Sequence, residues 1–245
     1  MRVAAFDEPL EGHLKEVGGL SKHLIRKLRL GLSGEAWLAG LLHDLGKALS
    51  PYQPLLREKG KAPGHEICSA LIISMLPDDV FISCTFKPAE LRAMTTYVAL
   101  MHHQAIAPVY ERISMALNFI RNRLRRWTRD ADVKYMDTLL RHFLKVDGLR
   151  ETLKRAVELI EEAVSMPKLL NEHISNAMKP LSNTILLYKA RMLTGAVMMA
   201  DTYVAMTRRG GKPLGIYKAE ITRLFKGIDA PSTAEEKTRR GQATR

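Results

Sequence analysis

Cysteine is nearly absent: two in 245 residues, Cys68 and Cys84, too few and too far apart for a thiolate metal site or a disulfide-built scaffold. Long hydrophobic runs are missing as well. The longest, such as Ala70 to Leu76, fall well short of the roughly 18 residues that span a bilayer. The N-terminus turns acidic at Asp7-Glu8 with no apolar segment of secretory length. Together these absences point to a cytoplasmic protein with no membrane partner. Asparagine and glutamine are sparse, five and three, which hints at a heat-adapted source, although twelve methionines argue the other way. A Walker A pattern is lacking too, because Gly46-Lys47 runs into Ala48 and Gly211-Lys212 into Pro213. The chain therefore has no evident nucleotide-driven motor.

Acidic charge is the other shortage. Thirty-eight Lys and Arg stand against 26 Asp and Glu, a formal net charge of +12. The excess is uneven, with +6 over residues 121–156 and +6 over residues 207–245. Such a balance favours a polyanionic partner, nucleic acid before membrane. Hydrophobic residues make up 46%, an ordinary globular share that excludes wholesale disorder.

Apolar periodicity is helical nearly throughout, and no segment shows a sustained period of two. The spacing predicts a first helix after Asp7 as N-cap, with Pro9 in its first turn, running to about Leu30 with a weak point at Gly18-Gly19. A second helix ends in His43-Asp44. A Pro- and Gly-marked stretch, Pro51 to Gly64, reads as a loop or short helix with a basic tip and leads to a short helix opened by His65 and broken at Pro77. Another helix begins at Pro88 and closes on His102-His103. Helices over 110–128, 132–146, 149–165 and 168–178 follow, then a long one from about Ser182 to Thr207 and a last one over Leu214 to Lys226. The expectation is one all-α domain over residues 1–229 with a disordered basic tail, residues 230–245.

The chemistry-bearing residues lie outside the basic stretches. In Leu41-Leu42-His43-Asp44-Leu45-Gly46-Lys47 an imidazole and a carboxylate are adjacent, and their side chains diverge by about 100° on a helix, so one could face a single ion while the other reaches between two. His13, His65 and His102-His103 recur at helix ends or on apolar faces. Asp201 lies in Gly195-Ala196-Val197-Met198-Met199-Ala200-Asp201-Thr202-Tyr203-Val204-Ala205-Met206, with no Lys or Arg within a turn. A carboxylate buried there needs a partner from elsewhere, and a metal ion is the best one. His23, His142 and His173 read as structural or surface residues.

In order, Gly12-His13-Leu14-Lys15-Glu16-Val17, Leu38 to Lys47 around His43-Asp44, Gly64-His65-Glu66, Met101-His102-His103-Gln104 and Ala200-Asp201-Thr202 resemble the HD superfamily of metal-dependent phosphohydrolases. Within it they look most like the stand-alone archaeal HD nuclease of type I CRISPR interference, the form without a fused helicase. That resemblance implies an HD-type helical domain with two divalent ions. His13, His43, Asp44 and Asp201 would hold one; Asp44, His65, His102 and His103 would hold the other. Asp44 would bridge them, and Lys47 would neutralise a phosphate oxygen. It also implies hydrolysis of single-stranded nucleic acid, DNA ahead of RNA, on a strand supplied by a separate helicase and a guide-RNA surveillance complex. Five imidazoles suit Mn, Fe, Co or Ni by ligand softness, while family members are often supported by Mg. Two other readings stand beside it. One is a phosphohydrolase of a nucleotide or cyclic dinucleotide, although Gln104-Ala105-Ile106-Ala107-Pro108 replaces the Glu and Gly-Tyr-Pro word of the cyclic-dinucleotide branch. The other is a non-catalytic nucleic-acid-binding module.

Overall fold

Ten α-helices among the described residues build the protein; nine are those the apolar spacing calls for, with shifted ends, and the tenth lies in the stretch marked by prolines and glycines. The computed structural model describes residues 1–103, 108–209 and Phe225. The chain divides into two compact units, Met1–Gly211 and Lys212–Arg245. The expected helix over 214–226, the domain end at residue 229 and the tail from residue 230 lie outside the described residues, Phe225 aside.

The largest departure from the sequence reading is at the start. Asp7 caps no helix. It sits in the turn of a small antiparallel hairpin, β1 (Val3–Ala5) with β2 (Glu8–Pro9), and Phe6 adopts φ +50° to make that turn. Val3, Ala4 and Ala5 are all buried, and Gln53 closes the strand by accepting from the Val3 N–H and donating to its carbonyl. Three residues are too few to show an alternating pattern.

α1 (Leu10–Lys27) follows directly, with Leu10, Leu14, Val17, Leu24 and Ile25 on its buried stripe. It stops earlier than expected because Arg29 takes φ +56°. Gly18 does not weaken it. α2 (Ser33–Leu42) crosses there so closely that a Cβ on Gly40 would stand 2.8 Å from the Gly18 Cα, and one on Gly18 would stand 2.9 Å from the Trp37 carbonyl. The two glycines let the helix carrying His13 and the helix ending at His43 approach backbone to backbone.

A 3-10 turn (Leu45–Ala48) and α3 (Gln53–Lys59) lead to α4 (His65–Met75), which is buried almost all round. Gly46 packs against α4 so tightly that a Cβ would meet the His65 carbonyl at 2.3 Å. α5 (Pro88–Met101) starts with proline in its first turn, and the Glu90 carboxylate accepts from the Lys87 N–H.

α6 (Val109–Arg121) ends well before residue 128; the chain tightens into a 3-10 turn (Leu124–Arg126) as Trp127 turns inward to donate its indole N–H to Asp132. α7 (Arg129–Leu144) is ended by Lys145 at φ +58°. α8 (Arg150–Ser165) and α9 (Pro167–Ala177) precede α10 (Thr184–Arg209), where the Asn183 side-chain oxygen accepts from the Ile185 and Leu186 N–H groups at the helix start.

α10 packs on α1 and α5, α4 on α5, and α1 on α2. That inner group brings three helix ends and the middle of α10 to one place. Leu14, Leu42 and Leu71 are wholly buried around it, each worth about 2 kcal/mol of transfer free energy at most.

Candidate metal centre

Five helices and one tight turn aim polar side chains into this apolar interior. His13 comes from the second turn of α1, His43 caps α2, and Asp44 follows where the chain leaves it. His65 opens α4, His102 caps α5 with His103 next, and Asp201 projects from α10. His13, His43 and Asp44 are fully buried, and His65 and His102 nearly so. His103 is half-buried and the Asp201 side chain is 17% exposed, so the centre faces solvent on that side.

The outward-pointing nitrogens of four imidazoles are pinned. His43 Nδ1 donates to the Gly40 carbonyl at 2.7 Å and His102 Nδ1 to the Ala99 carbonyl at 2.7 Å. Both acceptors lie in the last turn of their helices, where carbonyls have no N–H partner within the helix. His65 Nδ1 donates to the Ala62 carbonyl at 2.6 Å, and His13 Nδ1 donates to the Glu8 carboxylate at 3.0 Å. A carbonyl can only accept, so Nδ1 carries the hydrogen in His43, His65 and His102, and each presents a bare Nε2 lone pair inward.

Those lone pairs face a carboxylate. Asp44 Oδ1 lies 2.7 Å from His65 Nε2 and 3.3 Å from His102 Nε2. Asp44 Oδ2 lies 3.2 Å from His13 Nε2 and 3.3 Å from His43 Nε2, with Lys47 Nζ at 2.5 Å. Asp201 Oδ1 approaches His13 Nε2 at 3.2 Å. His13, His43 and His102 Nε2 are buried without a hydrogen-bond partner. Acceptor facing acceptor in a buried site is repulsive unless a proton or a metal cation stands between them. The donors therefore fit a metal ion, and they fit two. Ligand atoms of His13, His43, Asp44 and Asp201 lie within 4.8 Å of one another, as do those of Asp44, His65, His102 and His103. Each oxygen of Asp44 serves one set.

The acid–base state of the bare cluster shows the same demand for positive charge. Burial is the largest influence on His13 and opposes its protonation, yet Asp201, Asp44 and Glu8 outweigh it and push the imidazole up to about 10. Burial likewise opposes ionisation of Asp44, but His43, Lys47, His65 and His102 hold its carboxyl well below the usual carboxylate range. His13 does the same for Asp201 against its own burial. Burial, helped by His102 and His65, pulls His103 down to about 2, and burial also lowers His43.

A family model for the HD domain matches residues 10–186, well over half of the 245 positions. The chain belongs to the HD-domain family. It is a metal-dependent HD-domain phosphohydrolase with two buried His/Asp metal-site clusters. The match takes in His13, His43-Asp44, His65 and His102-His103 and ends before Asp201, so Asp201 joins this HD centre on geometry alone. No curated protein and no solved structure matches the chain. No described helix is long and apolar enough to cross a membrane.

All seven residues singled out by spacing converge here, and Lys47 with them. Lys47 is not a solvated lysine; its side chain is 8% exposed and bonds Asp44. His23, half-buried, belongs to neither ligand set, and His142 and His173 are exposed. The HD centre also has supports that spacing did not reveal. Glu8 holds His13 from β2, and Glu66 Oε2 lies 3.4 Å from His65 Nδ1 while Oε1 pairs with Arg112 at 3.3 Å. Arg112 is 2% exposed and also donates to the Leu100 carbonyl at 2.8 Å. A signal existed for Arg112, an arginine on the apolar stripe of α6 with Ile113, Ala116 and Ile120. None existed for Glu8, whose role depends on the hairpin.

Proposed function

We propose that this HD protein is a two-metal nuclease that hydrolyses phosphodiester bonds of single-stranded nucleic acid, DNA ahead of RNA, in CRISPR interference. The observation that carries the reading is Asp44, one carboxylate whose two oxygens serve two separate ligand sets. The net charge of +12 supports a polyanionic substrate. Divalent ions held there, of Mn, Fe, Co, Ni or Mg, would supply an activated water and offset charge on the phosphate in flight.

The chain's own groups set the geometry. Asp44 orients both halves of the centre, and the pinned Nδ1 hydrogens hold four imidazoles in one rotation and one tautomer. Lys47 keeps Asp44 ionised and brings a cation beside the first ligand set, where it neutralises a non-bridging phosphate oxygen. With an activated water, no side chain needs to act as a covalent nucleophile. The strand itself comes from a separate helicase working with a guide-RNA surveillance complex.

The test offers circular single-stranded DNA, RNA, mononucleotides and a cyclic dinucleotide to the full chain with each divalent ion. Cleavage of the circle, stopped by chelator and abolished in His43→Ala/Asp44→Ala, is the expected result. Turnover confined to the mononucleotide or the cyclic dinucleotide would overturn the nuclease reading. Strand binding with no turnover of any substrate would leave a non-catalytic module.

A further inference from the structure

α6 starts at the metal centre and ends in an exposed arginine cluster. Arg112, near its start, pairs with Glu66 behind His65; Ala116 packs against Gly64; and Phe119 stacks on Tyr52 with ring centroids 4.9 Å apart and planes 5° from parallel. Beyond it, residues 121–129 carry five arginines (121, 123, 125, 126 and 129) and neither lysine nor acid.

The backbone under these arginines is held rigidly. Arg121 donates to the Val164 carbonyl at 2.8 Å, and the Arg123 guanidinium lies 3.8 Å from the Phe119 ring centroid. Asp132 anchors the far end: it accepts from Trp127 Nε1 at 2.8 Å and from the N–H and hydroxyl of Ser50 at 2.8 and 3.0 Å. Ser50 lies three residues beyond Lys47 and in turn accepts from the Thr128 N–H at 3.0 Å. The cluster is thus fastened to the turn that carries Asp44 and Lys47.

Its charge is only partly answered. Arg129 pairs with Glu161, but the exposed side chains of Arg125 and Arg126 have no ion pair or hydrogen bond among the described residues. Two adjacent, unpaired guanidinium groups on a fixed turn cost self-repulsion that an anion would relieve. Guanidinium forks also match phosphate oxygens two at a time, which lysines do not.

We propose that Arg121 to Arg129, with Arg125 and Arg126 at its centre, is the surface that grips the phosphate backbone of a single-stranded nucleic acid whose scissile bond lies at the metal centre. This rests on the nuclease reading above. Arg121 follows Arg112 by nine residues, about 14 Å along the helix at 1.5 Å per residue.

The experiment measures binding of a labelled 20-nucleotide single strand by anisotropy, without divalent ions, from 50 to 300 mM salt. It compares the full-length wild type, Arg125→Glu/Arg126→Glu, and a charge-matched control remote in sequence, Lys145→Glu/Arg150→Glu. The ridge variant is expected to bind about ten-fold more weakly at 100 mM salt, with a log–log salt slope shallower by about 1.4 from two lost phosphate contacts. Its unfolding midpoint should match the wild type, since neither side chain has a partner to lose among the described residues. A control that weakens binding as much as the ridge variant, or a ridge variant with an unchanged slope, overturns the proposal. A second measurement separates it from the reading it rests on. If the wild type cleaves single strands while its KM for a 20-mer is indifferent to Arg125→Glu/Arg126→Glu, only the ridge fails. If the wild type neither binds nor cleaves single strands, the nuclease reading fails and the ridge with it.

Discussion

The two ligand sets share Asp44 but differ in chemistry. The first joins two imidazoles to two carboxylates, with Glu8 behind His13 and Lys47 beside Asp44. The second joins three imidazoles to the shared carboxylate and is backed by the carbonyls of Ala62 and Ala99. Its nearby acid, Glu66, is already paired with Arg112. Without an ion the first set is over-supplied with negative charge and takes up a proton on His13, whereas the second keeps His103 neutral. The first half should therefore capture a cation mainly by charge and the second mainly by imidazole donation, which favours Mn, Fe, Co or Ni over Mg.

The change that strikes both halves should have the largest effect. Asp44→Asn is expected to drop bound divalent ion from about two per chain to near zero and to slow hydrolysis about a thousand-fold, the several kcal/mol that two ions contribute. Elemental analysis beside a steady-state rate checks it; an undiminished metal content would remove Asp44 as the shared ligand. Next come changes confined to one half. Asp201→Ala and His103→Ala should each leave one ion, and anomalous difference maps should show the first variant empty beside His13 and the second beside His65. Loss of both ions from either variant would mean that the halves fill only together.

Smaller effects test the supports. Glu8→Gln removes the carboxylate that orients His13 and should weaken the first ion about 10- to 100-fold by calorimetry. Glu66→Gln should do less to the second, because the Ala62 carbonyl still holds His65 Nδ1. Equal losses would erase the contrast. Acidity gives the finest distinction. The His13 pKa is raised, so the bare protein keeps that proton until pH nears about 10, and an ion entering the first set must displace it. Between pH 7 and 9 its affinity should rise about ten-fold per pH unit, with one proton released. With His103 at about 2, that residue adds no such dependence to the second set. Titration in buffers of different ionisation enthalpy reads the proton count directly.

Much of the helical layout was legible beforehand, because an apolar stripe repeating every three or four residues reports the face that must be buried. The ends were less so. Arg29 and Lys145 stop their helices by turning to positive φ, which neither residue type announces. The hairpin at Val3–Pro9 was invisible because its pairing is only a few residues long. Gly18 read as a weak point and proved to be a crossing, since a glycine in a helix looks the same whether it is a flaw or a place of contact. Among the site residues, Asp201 was recognisable as a carboxylate with no local partner. Glu8 was not, because what makes it matter is a turn of chain rather than a neighbour in sequence.

The sequence by itself determined the inventory: which residues can bind a cation, that His43 and Asp44 diverge, and that the positive charge lies away from them. These follow from side-chain chemistry and the helical repeat, which are local. Only the tertiary structure decided that Asp44 Oδ1 would meet His65 and His102 while Oδ2 met His13, His43 and Lys47. It likewise put the arginine turn at the far end of the helix that backs His65. Both depend on helices distant in sequence packing at one angle and one distance, and those are set by the volumes of the side chains between them.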